Sequence, residues 1–224
     1  MKIQLKTPIS YYGGKQKLCS LILDLIPAHN LYCEPFVGGG AVFFGKQPSN
    51  VEVLNDTNKE LINFYQVTQN HFLDLEKMIR SSLHSRRLHA DASAIYNHPH
   101  LFDEIKRAWA VWVLTSQTFS SILDGTFGYD KKGNTTSLKI ANKRASFTEV
   151  YTQRLQNVQI ECADALYIIQ SRDTVDSFFY VDPPYPNSNC GHYSGYTVDM
   201  FESLLKSLSN VEGKFLLSSY PLPV

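Results

Sequence analysis

The chain has no cysteine pair at disulfide or metal spacing. Cys19, Cys33, Cys162 and Cys190 form no C-x-x-C. Neither a zinc ribbon nor a disulfide-stapled scaffold is expected, and unpaired thiols in a reducing cytoplasm are the default. Net charge is absent too: Lys+Arg and Asp+Glu are 21 each. A nucleic-acid partner must therefore be met by a local basic patch. No apolar run approaches membrane-spanning length, and Met1-Lys2-Ile3-Gln4-Leu5-Lys6 lacks a signal-peptide core, so no membrane partner is expected. There is no internal repeat and no low-complexity segment. The dinucleotide fingerprint G-x-G-x-x-G is missing as well: after Gly38 and Gly40, position 43 is Phe43, which argues against a dehydrogenase loop.

What is there reads as α/β. A chain of 224 residues, 43% hydrophobic and 19% charged, can bury one sizeable core plus an insertion. Leu18 to Ile26 is an apolar-periodic helix ended by Pro27. Strands are expected at Leu31–Glu34, Val51–Asn55, Val158–Cys162, Phe178–Val181 and Lys214–Ser219. Helices are expected at Ala41–Gly45, Asn58–Val67 with Asp56 or Thr57 as cap, Ala163–Gln170 and Phe201–Leu208. The middle differs. Phe72–Leu83 and Glu104–Gln117 look helical, and Lys132-Gly133-Asn134 looks like a hairpin turn. The pattern is a mostly parallel sheet formed by residues 1–70 and 150–224, with 71–149 inserted.

The most informative stretch is Asp182-Pro183-Pro184-Tyr185. It follows the apolar run Ser177-Phe178-Phe179-Tyr180-Val181, which suits a buried parallel strand. Two prolines cannot extend a ladder, because they lack N–H donors. An acid, a rigid carbonyl and an aromatic ring thus collect at a strand's carboxyl end, where open α/β sheets bind ligands. A flat ring bearing an amino group fits: Asp182 and the Pro183 carbonyl accept, and Tyr185 stacks. A capping Asp in a proline-rich loop is the plain alternative.

Gly38-Gly39-Gly40 lies between a strand and a helix, where glycine lets backbone approach a ligand closely. Glu34 precedes it and would repel a pyrophosphate. The sulfonium and amino group of S-adenosylmethionine fit such a loop better, although a tight turn without ligand would look the same. Asp56 could hold ribose hydroxyls or cap a helix. Asp164 could accept from an adenine amino group or serve as a cap. In Tyr11-Tyr12-Gly13-Gly14-Lys15, Lys15 could meet a cofactor carboxylate, or the segment is a surface turn. From 131 to 144 the basic residues Lys131, Lys132, Lys139, Lys143 and Arg144 occur with no acid. Asn134, Thr135, Thr136, Ser137 and Asn142 lie among them, and the stretch reads as a phosphate-contacting surface or a solvated loop.

With these motifs in order, the chain resembles the Dam-like family of DNA N6-adenine methyltransferases. The resemblance rests on Tyr11 to Lys15, Glu34-Pro35-Phe36-Val37-Gly38-Gly39-Gly40-Ala41-Val42-Phe43, Asn55-Asp56-Thr57-Asn58, Asp164 and Asp182 to Tyr185. It implies a Rossmann-like methyltransferase sheet carrying an inserted, mainly helical plus hairpin DNA-recognition region. S-adenosyl-L-methionine would be bound by Tyr11, Lys15, Glu34, Phe36, Gly38, Gly40, Asp56, Asp164 and Asp182. Asp182, Pro183, Pro184 and Tyr185 would be catalytic, holding a flipped adenine. The insertion would read duplex DNA, with a cognate restriction endonuclease as a further partner in some systems. Position 11 is Tyr where well-known members carry Trp. Family members also continue beyond the fifth strand, so further C-terminal strands are expected to be missing here.

Cytosine C5 chemistry needs a nucleophilic Cys, usually after a Pro, and none of the four follows one. Methylation of RNA adenine or protein glutamine is the nearest enzyme rival, and the basic insertion argues against it. A truncated, inactive DNA-binding remnant is the non-enzyme rival. No metal is needed by this chemistry.

Overall fold

A computed structural model describes residues 5–185 and 195–219. Its frame is a five-stranded sheet of β1 (Leu31–Glu34), β2 (Val51–Asn55), β3 (Gln159–Glu161), β4 (Ser177–Val181) and β5 (Lys214–Leu217), in the order β3-β2-β1-β4-β5. Every pairing is parallel. From β1 the chain steps outward through β2 to β3, then returns to the other side of β1 with β4 and β5. Strand order therefore reverses between β1 and β4, and a crevice opens at their carboxyl ends. Cys33 lies opposite Phe179 in the register, so the residues following β1 and β4 flank that crevice.

The sheet has helices on both faces, the α/β architecture expected from the sequence. Alternate side chains go to opposite faces. On one face Tyr32, Phe178 and Tyr180 join a large cluster with Val42, Phe43, Phe44, Phe64 and Tyr65. On the other, Cys33, Phe179 and Val181 meet Ile168, Ile169, Phe201 and Leu204. The first face carries α1 (Cys19–Leu25), α2 (Ala41–Gly45) and α3 (Lys59–Asn70); the second carries α9 (Ala165–Arg172) and α10 (Val198–Leu208). β4 is buried at all five positions, as its unbroken apolar run requires.

Between β2 and β3 come α3 and then α4 (Phe72–Ser81), α5 (Arg86–Asn97), α6 (Glu104–Gln117), α7 (Thr135–Ser146) and α8 (Val150–Leu155). α6 is the hub: its residues from Ala108 to Thr115 are buried, and it belongs to the same apolar cluster as α3 and the sheet. Trp112 is completely buried, and replacing it with Ala should cost about 3–5 kcal/mol.

Two expectations need correction, and one helix was missed. Lys132-Gly133-Asn134 is not a hairpin turn: it leads into α7, where the Asp130 carboxylate accepts from the Thr136 N–H at 2.6 Å. The antiparallel bridge in this region joins Thr118 to Phe127 instead. The cap of α3 is Asn58, whose Oδ1 accepts from the Glu60 and Leu61 N–H groups, which leaves Asp56 for other bonds. Helix α5 was not foreseen. Ser85 starts it by accepting from the Leu88 N–H, and its buried stripe of His89, Ala92 and Ile95 is too weakly apolar to announce itself.

Candidate active site

One cavity of about 1120 Å³ opens at the β1/β4 crevice, lined by Tyr11, Lys15, Glu34, Phe36, Gly38, Gly40, Asp56, Asp164 and the whole of Asp182 to Tyr185. Residues scattered over 175 positions of sequence thus meet in one place: all but Tyr11 and Lys15, which precede β1, end a strand or follow one.

The glycine turn is built by backbone. Val37 N–H donates to the Asn55 carbonyl at 2.8 Å, and Gly40 N–H to the Val37 carbonyl at 2.7 Å. Gly40 has φ +66°, and a Cβ there would sit 3.1 Å from the Phe44 ring, so both conformation and space require glycine. Asp56, just after β2, staples the turn: one carboxylate oxygen accepts from Gly38 N–H at 3.1 Å and the other from Asn58 N–H at 2.9 Å. Tyr65 Oη donates to the Gly38 carbonyl at 2.7 Å. Burial pushes the Asp56 carboxyl up, against the pull of its backbone donors.

Glu34 ends β1 and is buried. The Tyr32 hydroxyl donates to its Oε1 at 2.6 Å. Burial nevertheless pushes the Glu34 carboxyl up to about 8, a form that a nearby cation would ionise. Asp164 caps α9, accepting from the Leu166 and Tyr167 N–H groups at 2.9 and 3.2 Å. Its cap role is real, and it still lines the cavity. The Phe36 ring meets the Tyr196 ring edge-on at 6.3 Å.

Asp182 is already engaged. Lys15 Nζ donates to its two carboxylate oxygens at 2.7 and 2.6 Å, and also to the Gly13 carbonyl at 3.0 Å. Tyr185 Oη donates to Asp182 Oδ1 at 3.0 Å and lies 2.9 Å from Ser218 Oγ, just past β5. The Lys15 ammonium also sits 5.3 Å from the Tyr185 ring centroid. Burial works against the charge on Lys15, but the Asp182 carboxylate outweighs it and holds the ammonium above its ordinary value.

The basic stretch lies elsewhere, and none of its five cations lines the cavity. Lys131, Lys132 and Lys139 are exposed. Lys143 turns inward to the Thr115 carbonyl at 3.3 Å, and Arg144 donates to the Arg80 carbonyl at 3.2 Å. Burial and the charge of Lys139 push the Lys143 amine down to about 8.

Sequence reasoning passed over several cavity residues. Tyr180, Tyr196, Met200 and Leu204 line it. Tyr180 was recoverable, since it stands two residues before Asp182 on the same strand face. It also missed the loop closed by Thr118 and Phe127. There Phe119 is 72% exposed, Ser120 and Ser121 have φ of +60° and +58°, and Arg86 covers the Phe127 ring at 4.8 Å. Non-glycine residues held at positive φ mark a strained, over-determined loop.

The lining combines the buried Glu34 carboxylate and the partly shielded Asp56 with a glycine turn and aromatic walls, a set that suits a cation-bearing nucleoside better than a phosphate. Among the described residues no three His, Cys, Asp or Glu side chains converge as a metal site, and no helix is long and apolar enough to cross a membrane. Comparisons with known proteins identify relatives. The chain is 26% identical to the Type II methyltransferase M.MjaIII of Methanocaldococcus jannaschii, over 87% of this chain and 74% of that protein. It is 28% identical to the Type II methyltransferase M1.LlaDCHI of Lactococcus lactis subsp. cremoris, over 89% and 73%. It is 26% identical to the DNA adenine methylase of Vibrio cholerae, over 86% and 70%. Residues 11–219 match the D12 class N6 adenine-specific DNA methyltransferase profile, and the chain belongs to that family.

Proposed function

We propose that the chain transfers a methyl group from S-adenosyl-L-methionine to N6 of an adenine flipped out of duplex DNA. The observation that carries this is the meeting of the glycine turn and the Asp182-to-Tyr185 stretch in one cavity at the β1/β4 crevice. Bound there, S-adenosylmethionine supplies an electrophilic methyl group on a sulfonium.

The chain's own residues divide the work. Glu34 faces the positive amino-acid end, Asp56 the ribose hydroxyls, and Phe36 with Asp164 the cofactor's adenine. Tyr11 walls the glycine turn and Lys15 meets the cofactor carboxylate. Asp182 and the Pro183 carbonyl accept both hydrogens of the target amino group, Pro184 keeps that turn stiff, and Tyr185 stacks on the base. The amino lone pair is shared with the purine ring, so two acceptors that favour a tetrahedral nitrogen make it available for attack. The cofactor would supply the methyl group and keep the C–S electron pair on sulfur as the N–C bond forms, and Asp182 would pass the surplus N6 proton to water. Positioning and electrostatics carry the rate, without a covalent enzyme intermediate. Flipping costs a few kcal/mol, offset in part by stacking on Tyr185.

Residues 71–149 form the target-recognition region in this reading. Lys131, Lys132 and Lys139 contact phosphates, with Lys143 and Arg144 holding α7 beneath them. The enzyme is cytoplasmic, and a cognate restriction endonuclease is a partner that protection of cellular DNA from cleavage would expose.

The test is incubation with methyl-labelled S-adenosylmethionine and mixed-sequence duplex DNA, followed by digestion to nucleosides. Label should appear in N6-methyl-2′-deoxyadenosine. Label in methylcytosine, or only in RNA or protein, overturns the reading.

A further inference from the structure

Tyr180 is 4% exposed, and its hydroxyl is fully buried with no hydrogen-bond partner among the described residues. Yet the residue lines the cavity. A hydroxyl that has left water and found no partner destabilises the folded state. Phenylalanine would keep the ring packed against its neighbours without that cost, as Phe178 does two residues earlier on the same strand face. The free protein thus gains nothing from this oxygen.

Its surroundings say what it suits. Tyr180 and Asp182 leave β4 on the same face, and Glu34 ends the adjacent strand. Burial and the nearby Asp182 and Glu34 carboxylates push the phenol far above its ordinary range, so it remains an O–H donor at every working pH. A permanent donor wants an acceptor. The ammonium of the cofactor's amino-acid end has no lone pair to offer, and the target amino group meets Asp182 and Pro183 through its hydrogens. Neither protein carboxylate accepts from it, and the charged acceptor that the ligand itself would bring is the cofactor's carboxylate. Lys15, the cation assigned to that carboxylate, lies in the same corner, on Asp182.

We propose that the Tyr180 hydroxyl is a cofactor-binding group, donating to the carboxylate at the amino-acid end of S-adenosylmethionine beside Lys15. This rests on the reading of the cavity as an S-adenosylmethionine site. It adds a neutral donor to a corner otherwise held by charges, and it gives the unpartnered oxygen its partner only in the bound state.

The test uses Tyr180→Phe in the full chain, with three measurements. S-Adenosylhomocysteine carries the amino-acid end; 5′-methylthioadenosine does not. Calorimetric titration should find S-adenosylhomocysteine bound about tenfold or more weakly by the variant, the scale of one hydrogen bond to a charged group. Binding of 5′-methylthioadenosine should stay within about twofold. The ligand-free melting temperature should be equal or higher. Equal affinity for S-adenosylhomocysteine, an equal loss for 5′-methylthioadenosine, or a lower melting temperature each overturns the proposal. If the parent chain itself binds neither ligand, the cofactor reading fails and takes this inference with it. If the parent binds and the variant matches it, only this inference falls.

Discussion

The Lys15 ammonium lies 2.6 and 2.7 Å from the two carboxylate oxygens of Asp182. The cation assigned to the cofactor thus holds the acid assigned to the target base. Both are mostly shielded from water, at 13% and 18% side-chain exposure, so the pair is stronger than a surface ion pair. Asp182 cannot offer its full acceptor capacity to an amino group while Lys15 occupies it. On the proposed reading, a cofactor carboxylate would give Lys15 a second partner, and cofactor binding would then release Asp182 for the base. Two ligands that meet through one shared lysine are coupled, and the coupling is reciprocal.

Asp182→Asn separates the two roles. Turnover should be lost, because a neutral amide presents one acceptor and two donors to the adenine amino group. Affinity for S-adenosylhomocysteine should be unchanged or up to about tenfold tighter, since Lys15 no longer has a carboxylate to leave. Calorimetry beside a methyl-transfer assay checks both. A tenfold loss of cofactor affinity would mean that Asp182 itself holds the cofactor.

Glu34 predicts a pH dependence with a definite sign. Its carboxyl is raised to about 8 in the free protein by burial, above the ordinary value near 4.3 of an unfolded chain. Between those values the folded state holds the extra proton, so this group makes stability fall as pH rises, by at most about 1.4 kcal/mol per pH unit. A cationic ligand favours the ionised form, so cofactor affinity should climb with pH and level off near 8. Glu34→Gln should flatten both trends. Melting curves and cofactor titrations across pH 5 to 9 read them; parallel profiles for parent and variant would remove Glu34 from the ligand's surroundings.

Asp56 has a structural role that sequence alone did not separate from its binding role. Its two oxygens already take the Gly38 and Asn58 N–H groups, so Asp56→Ala would loosen the glycine turn as well as remove an acceptor from the ligand. Asp56→Asn keeps one acceptor. It should weaken cofactor binding about tenfold, the scale of a charged hydrogen bond, while shifting the melting temperature by only a few degrees. Unchanged affinity would refute the ribose assignment.

The site was largely legible because its motifs are local. Three glycines before a helix, or two prolines after an apolar strand, dictate backbone behaviour with little help from the rest of the chain. Contacts between distant residues were not legible. Lys15 and Asp182 are 167 positions apart, and no pattern in either segment announces that one faces the other. Tyr180 was recoverable from its strand face and was passed over because an aromatic in a buried apolar strand looks like core, and most of its ring is core. In the insertion, α5 and α7 escaped notice because polar residues dominate them and only Ile140 of α7 is buried. Read as a charge run, the stretch from 131 to 144 looked uniform. On a helix its cations point in different directions.

That division gives the last prediction. Lys143 donates to the Thr115 carbonyl, and burial with the neighbouring Lys139 charge lowers its amine to about 8. An unfolded lysine titrates near 10.4. Between the two values the unfolded chain holds the extra proton, so this group makes stability rise with pH over that window. Below it, Lys143 carries a half-buried charge at a cost. Lys143→Met, which keeps the stem's length and packing, should therefore raise the melting temperature at pH 7 and flatten the rise between pH 8 and 10. It should leave the salt dependence of DNA binding unchanged, because the ammonium faces Thr115. Replacing the exposed Lys131, Lys132 and Lys139 together by Ala should instead weaken DNA binding and reduce the log–log salt slope by up to about 2.7, roughly 0.9 for each phosphate no longer neutralised. Cofactor affinity should not move, since none of the three lines the cavity. Titrations of duplex DNA at several salt concentrations decide it. An unchanged slope in the triple variant would place the phosphate-binding surface on another part of the helical lobe, with Arg86 and Arg87 of α5 the next cations to replace.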